Sequence, residues 1–382
     1  MRKLARVSFC VLLVFLVVAS LAILSGCGSG SSSTSSTNSY YGTQSPGDAW
    51  SFTINRASNT FSGTDNTTGY TYSGTFTVLP SDFLQLTITA STDSTVTLPG
   101  TAYAVEFPGT ALLLKPAGTK DSVIIAAAQG SCPSPATYNW VKVANTSWID
   151  SDPAYGIANM TGSSSSLTIS GSQYPLGGTP SSPFTYSGSC SNGVINPASG
   201  SIGTFAITPS GAFIGDQGSD GGIVGMLQPS ANIGTSTLLQ AGRQFRGFIF
   251  MVHPPYQSNG VTPQDKTQAI WGTTTTSSNL CYTVGPPCIS VGEYTDNFAN
   301  GGVEDNCPNG DSCGALTFTA EQNPGEFPAV MNGTHTNNQA FTLIVNQING
   351  KFMVFGISEN TYGTPINGVS PKGPYMVVLM EQ

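Results

Sequence analysis

Charge is scarce in this sequence. Asp, Glu, Lys and Arg together make up 8% of the chain, against about 25% in ordinary globular proteins. Twelve basic residues stand against 20 acidic ones, for a formal net charge of −8. So few cations leave no basic patch for neutralising phosphates, which argues against a nucleic-acid partner. Helical periodicity is nearly missing too: only "TSTLLQAGRQ" (Thr235 to Gln244) offers a couple of turns. Familiar catalytic signatures are lacking, with no G-x-S-x-G elbow, no H-E-x-x-H and no phosphate-binding G-x-x-x-x-G-K-[ST]. The two histidines offer little. His253 follows an apolar run and precedes two prolines, and His335 sits in a polar stretch. No repeat of fixed period is evident, which counts against a propeller or solenoid.

What is present begins at the amino terminus, "MRKLARVSFCVLLVFLVVASLAILSGC". Arg2, Lys3 and Arg6 form a positive region ahead of an apolar run from Val7 to Leu24, the layout of a secretory signal. The run ends in Leu24-Ser25-Gly26-Cys27, which resembles the lipobox of bacterial lipoproteins. That resemblance covers residues 1–27. It implies removal of residues 1–26, lipidation of Cys27 and attachment to a membrane of the bacterial cell envelope. An uncleaved membrane anchor is the competing reading of the same run. Gly28 stands where enteric lipoproteins retained at the inner membrane carry Asp, which implies the outer membrane. Loss of the three basic residues with the signal would take the net charge to −11. The following Ser/Thr/Gly-rich stretch cannot bury enough apolar surface to offset ordering entropy, so residues 27–47 are expected to form a tether.

Export sets the expected state of the cysteines. With Cys10 in the signal and Cys27 lipidated, Cys132, Cys190, Cys281, Cys288, Cys307 and Cys313 remain. An even number in an exported chain predicts disulfides, with fifteen connectivities open. Nearest-neighbour pairing would be 132–190, 281–288 and 307–313. Zinc is disfavoured because no CxxC occurs and neither histidine is near a cysteine.

Strand signals dominate the rest. Trp50, Phe52 and Ile54 alternate with polar residues, as do Tyr70, Tyr72, Gly74 and Phe76, and Leu84, Leu86 and Ile88. "SVIIAAA" is apolar throughout and reads as a strand buried on both faces. Phe205, Ile207 and Phe213 flank a Pro209-Ser210-Gly211 turn, and Asn349-Gly350 joins two apolar strands in the manner of a type I′ hairpin. The spacing predicts an all-β protein of antiparallel meanders, closed into two barrel or sandwich domains over 48–230 and 235–382, with almost no helix. A single sheet system crossing that seam is the alternative.

The densest run of oxygen donors is "EYTDNFANGGVEDNCPNGDSCG". Asp296, Glu304, Asp305 and Asp311 make it a candidate calcium loop. "DNCP" and "GDSC" resemble fragments of thrombospondin type 3 calcium repeats, without the longer Asp-rich spacer of that family; the resemblance implies Asp305 and Asp311 as ligands. The competing reading is a disulfide-closed surface turn. "GDQGSDGG" lacks the Glu that an EF-hand needs, Leu227 standing in its place, and reads as a hairpin turn. A glycosidase would need only two suitably spaced carboxylates, for which Glu293, Asp296, Glu304, Glu321 and Glu326 are candidates. Trp148, in a polar stretch, is the candidate for stacking on a ligand, while Trp50 and Trp140 read as core; Tyr40, Tyr41 and Trp271 complete the conspicuous aromatics.

These features describe a membrane-tethered envelope protein with a non-catalytic binding or structural role, its partner a glycan or other envelope component. A polysaccharide hydrolase using a carboxylate pair, or a carrier of a small apolar ligand, are the alternatives. If the acidic loop binds calcium, titration to several millimolar raises the melting temperature of the oxidised chain. Asp305→Ala and Asp311→Ala then abolish the rise; no rise in the parent chain leaves a disulfide-closed turn.

Overall fold

A computed structural model of the chain describes residues 37–44, 48–79, 83–116, 123–128, 130–132, 135–143, 154–175, 183–191, 193–198, 205–207, 213–216, 222–251, 268–276, 287–294, 314–333, 339–348, 350–358 and 375–382. Nearly everything described is strand, as the alternation predicts. The strands close into three antiparallel barrels of eight strands each, in meander order. The first comprises β1 (Thr37–Gln44), β2 (Asp48–Asn55), β3 (Thr60–Asp65), β4 (Thr71–Val78), β5 (Leu84–Ser91), β6 (Gly100–Phe107), β7 (Ala111–Pro116) and β8 (Ile124–Ala128). The second comprises β9 (Ala136–Val143), β10 (Ala154–Ser163), β11 (Ser166–Pro175), β12 (Phe184–Ser191), β13 (Val194–Pro197), β14 (Phe205–Ile207), β15 (Phe213–Asp216) and β16 (Gly222–Leu227). After a short helix α1 (Thr235–Leu238), the third comprises β17 (Gln244–Met251), β18 (Gln268–Thr275), β19 (Cys288–Tyr294), β20 (Gly314–Phe318), β21 (Glu326–Gly333), β22 (Gln339–Ile348), β23 (Lys351–Ser358) and β24 (Tyr375–Glu381).

Closure comes from pairing the last strand of each barrel with its first: Gln44 with Ile124, Leu227 with Tyr138, Arg246 with Met380. The expected hairpins are present, with Ile207 opposite Phe213 and Ile348 opposite Lys351. Gly350 takes the positive φ of 78° that its turn demands.

Two expectations need correction. Strands predicted to make one domain over 48–230 close as two barrels, separated at 129–135, while the 230–235 seam falls between the second barrel and the third. Residues 37–44, placed in the tether by composition, form β1 and complete the first barrel. Tyr40 and Tyr41 are accordingly buried. A polar strand is stabilised here by ladders on both sides, to β2 and to β8. All three barrels belong to one compact unit, Thr37–Gln382.

One hydrophobic core joins the barrels from outside. Val123, Ile125 and Ala127 of "SVIIAAA" point into this shared core, while Ile124, Ala126 and Ala128 fill the first barrel. The strand is buried on both faces, as its unbroken apolar run predicts. The third barrel repeats the device: Met353, Phe355 and Ile357 face outward to the shared core, Phe352 and Val354 inward. In β24, Met376, Val378 and Met380 face out while Val377 and Leu379 face in. The second barrel contributes Val141, Val224 and Met226. Phe83 meets Phe248 edge-on across the first and third barrels, centroids 6.2 Å apart. Between the second and third, Asn139 donates to the carbonyl of Pro324 at 2.6 Å, and Asn346 donates to that of Leu227. The first and second approach so closely that a Cβ on Gly222 would lie 2.5 Å from Thr43 Oγ1.

The Cys132–Cys190 disulfide ties the entry of the second barrel to β12, Cα atoms 5.7 Å apart. Closing a loop of that length contributes about 4 kcal/mol in the chain-entropy picture. Cys288, fully buried, is also disulfide-bonded; Cys281, Cys307 and Cys313 lie outside the described residues.

The first barrel has a polar floor. Glu106 on β6 points inward, its side chain wholly buried, and its oxygens are fully engaged. Tyr40 Oη donates to Oε1 at 2.7 Å and Asn38 Nδ2 at 3.1 Å, while Arg56 Nε donates to Oε2 at 2.7 Å. Gly109 N–H in turn donates to Tyr40 Oη at 3.2 Å. Burial and the Glu106 carboxylate push the Tyr40 phenol far above its ordinary pKa, so it stays a donor. Removing one member of a buried, hydrogen-bonded charge pair leaves the other uncompensated. Glu106→Ala is expected to cost about 3 kcal/mol in chemical denaturation, the lower end for such pairs because Arg56 is partly solvated.

Candidate functional site

Opposite that floor the first barrel is open. A cavity of about 410 Å³ enters between its strand ends, walled by Trp50, Phe52, Phe61, Leu86, Ile88, Leu114 and Ile124 and rimmed by Gln44, Tyr72, Asp93, Thr95 and Thr97. Eight strands enclose just enough room for side chains or one small molecule, so which it holds depends on the residues inside. Here glycine makes part of the space. Gly63 sits at an inward position where a Cβ would come 2.8 Å from the Phe52 ring. Trp50 stacks on Phe52 with centroids 5.5 Å apart and planes 5° from parallel, and tilts by 36° against Tyr72 at the same distance.

A β-bulge sets the rim. On β5 the alternation Leu84, Leu86, Ile88 keeps even-numbered residues inward. Gly74 then pairs with Ile88 but Ser73 with Ala90 and Tyr72 with Ser91, so Thr89 is an extra residue. One extra residue exchanges the faces of everything beyond it. Ser91 comes inward, and Asp93, two further on, turns over the mouth. Its Oδ1 accepts from Thr95 N–H at 2.9 Å and Thr95 Oγ1 at 2.7 Å, and its Oδ2 accepts from Tyr72 Oη at 3.2 Å. The Thr95 hydrogen bonds, with that from Tyr72, hold the Asp93 carboxyl below its ordinary pKa. Burial, and then the Asp93 charge, push the Tyr72 phenol up, so the pair is a neutral donor on an ionised acceptor. Deeper in the wall, the Trp50 Nε1–H is buried with no hydrogen-bond partner among the described residues.

Trp50, expected in the core, packs against the first barrel's inner cluster and is half-buried at the cavity wall, while the alternation alone does not bring Asp93 to the rim. Trp140 does lie inside the second barrel, 2% exposed and edge-on to Phe184. The expected ligand-stacking residue, Trp148, lies outside the described residues, as do Cys27, Asp296, Glu304, Asp305, Asp311, His253 and His335. Among the described residues no cluster of His, Cys, Asp or Glu could hold a metal ion, and no helix is long and apolar enough to cross a membrane.

Two of the carboxylates considered for glycoside hydrolysis have other duties. Glu321 accepts from the backbone N–H groups of Ile233 (3.0 Å), Gly234 (2.9 Å) and Gly325, tying α1 to the third barrel. Glu326, 4% exposed, accepts from Asn323 Nδ2 at 3.0 Å. Glu293 lies on β19 opposite Ile270. Burial raises the Glu326 pKa above its ordinary 4.5, with the Asn323 hydrogen bond opposing. Because the fold favours the protonated form, this group's stabilisation is complete below pH 4.5 and declines as pH rises through the folded-state value. Glu326→Gln keeps an acceptor for Asn323 but cannot ionise. Its melting temperature should fall less than the parent's between pH 4 and pH 8, measured by thermal unfolding across that range.

No protein-family model matches this sequence, and no curated protein does. Among solved structures, it is similar to transferrin binding protein B from serogroup B Neisseria meningitidis, at 12% identity and a TM-score of 0.25, covering 88% of this chain and 65% of that one. It is also similar to a mutant of transferrin binding protein B from Haemophilus parasuis Hp5, at 10% identity and a TM-score of 0.25, covering 91% of this chain and 76% of that one. The chain thus spans just under two thirds of the first of these.

Proposed function

We propose that this chain is a lipid-anchored protein of the bacterial cell envelope that binds without catalysis, and that its first barrel takes a small, largely apolar molecule. The observation that carries the second half is the cavity of about 410 Å³ within a closed barrel, aromatic and aliphatic inside with a few polar groups at the rim. That is the composition of ligand pockets generally, and the volume lies toward the lower end of their usual range of about 300–1,000 Å³, matching one or two rings. The first half rests on the signal-like amino terminus and Leu24-Ser25-Gly26-Cys27. A calcium-ordered loop around Asp305 and Asp311 remains part of the proposal, as a stabilising feature of the third barrel's connections. So does an outer-membrane location, with a glycan or other envelope component as partner.

The compact unit Thr37–Gln382 is the protein to test. Calorimetric titration with 3-ethylindole is expected to give saturable binding of one equivalent. Ile88→Trp, which fills the cavity from its wall, should weaken binding about tenfold or more while leaving the melting temperature near that of the parent. No saturable binding by the parent, or equal binding by a folded Ile88→Trp protein, would contradict the proposal.

A further inference from the structure

The rim of the cavity carries a sign. Among the described residues its lining includes no Lys, Arg or His, and its carboxylate is that of Asp93. Among the described residues of the barrel the cations are elsewhere: Arg56 is committed to Glu106 at the floor, and Lys115 lies next to the inward-facing Leu114, on the opposite face of β7. Asp93 is half-buried, held by Thr95 and Tyr72, and so points a fixed charge over the opening. A second carboxylate, Asp65, lies within electrostatic range of Tyr72 and is 5% exposed. It is occupied locally, accepting from Thr67 N–H at 2.8 Å and Thr68 Oγ1 at 2.6 Å. Below Asp93 the Trp50, Phe52 and Tyr72 rings adjoin one another, presenting π-systems whose negative faces attract cations.

We infer that the occupant of the first barrel is an amphipathic cation, an apolar or aromatic body lying among Trp50, Phe52 and Ile88 with an ammonium group at the mouth beside Asp93 and Tyr72. This rests on the reading of the cavity as a ligand site and adds to it a charge selectivity. Three consequences follow from the geometry. An anion at the same position would face the Asp93 carboxylate with no compensating cation among the described lining residues. A neutral body of equal shape would gain the apolar contacts alone. A cation gains the ion pair and the ring faces together. The net negative charge of the chain raises the local concentration of cations further, as any charged surface does for its counter-ions.

The test is a matched set of probes sharing one ring system: tryptamine (cationic), 3-ethylindole (neutral) and indole-3-propionate (anionic), titrated calorimetrically into Thr37–Gln382 at low salt. Tryptamine is expected to bind about tenfold tighter than 3-ethylindole, the size of a partly solvated ion pair with a cation–π contact. Indole-3-propionate should bind weakest. In Asp93→Asn the ratio between the first two probes should fall to near one. Raising the ionic strength to about 1 M, where charges are screened within about 3 Å, should lower the same ratio in the unaltered protein, a check that needs no variant. If 3-ethylindole binds and tryptamine is no tighter, the charge selectivity is overturned and the ligand site stands. A preference that persists in Asp93→Asn and at high salt also overturns it. If no probe binds, the ligand site itself falls.

Discussion

The structure depends on strands that are apolar on both faces. A β-barrel normally has one buried surface, its interior, and presents the other to water. In β8, β23 and β24 both sets of side chains are buried, one filling a barrel and the other meeting the neighbouring barrels. Each such strand therefore belongs to two cores at once. The outward-facing set has no partner within its own barrel, so exposing it would cost roughly 25 cal/mol for each Å² of apolar surface. Packing three barrels against one another removes that cost, and the directional bonds from Asn139 and Asn346 then fix how the second and third barrels sit. Barrels of so little charge could hardly be joined by salt bridges.

The same division of labour explains why the cavity lies where it does. The first barrel enters the shared core through outward residues of β6, β7 and β8, Val105, Ala111, Leu113, Ile125 and Ala127, with Phe83 and Val123 beside them, and its β1 abuts the second barrel at Thr43. Its far side, β3 to β5, carries outward Ser and Thr such as Ser62, Thr64, Ser73, Thr75 and Thr87. The bulge at Thr89 and the glycine at position 63 both fall there. One end is closed by a satisfied charge cluster around Glu106, and the other is left with aromatic walls and the Asp93 carboxylate at the rim. A barrel anchored along one side and sealed at one end can keep an open mouth without losing its register.

How much of this was legible in the sequence follows from the same physics. Alternation of period two is local, so strands, hairpins and the doubly buried "SVIIAAA" could be read directly. The number of closed barrels could not. Closure is a pairing between residues far apart in the chain, such as Gln44 with Ile124, and nothing in the alternation reports it. β1 was hidden for a related reason: a Ser/Thr/Tyr strand between two partners looks, by composition, like the Ser-rich stretch before it. The site was missed because of one residue. Extending the Leu84, Leu86, Ile88 pattern sends Asp93 to the outside, and only the bulge brings it in. Bulges leave little trace in composition, though a weakly apolar Thr-Ala-Ser-Thr stretch after Ile88 is where a search for one could begin. The acidic run at Asp305, and Cys27, lie outside the described residues, so what is expected of them rests on residue type and spacing.

Fusion of the three barrels through one core can be tested at Phe355, which lies on the third barrel and faces the shared core, 1% exposed. Phe355→Ala removes a large buried ring, a change worth about 3–5 kcal/mol. Native-state hydrogen exchange on Thr37–Gln382 then reports which backbone amides lose protection. A common core predicts that β8, β9 and β16, in the other two barrels, lose protection together with β22, β23 and β24. Loss confined to the third barrel, with the first and second unchanged, would mean that the barrels are independent bodies and would contradict the shared core as the element that holds the molecule together.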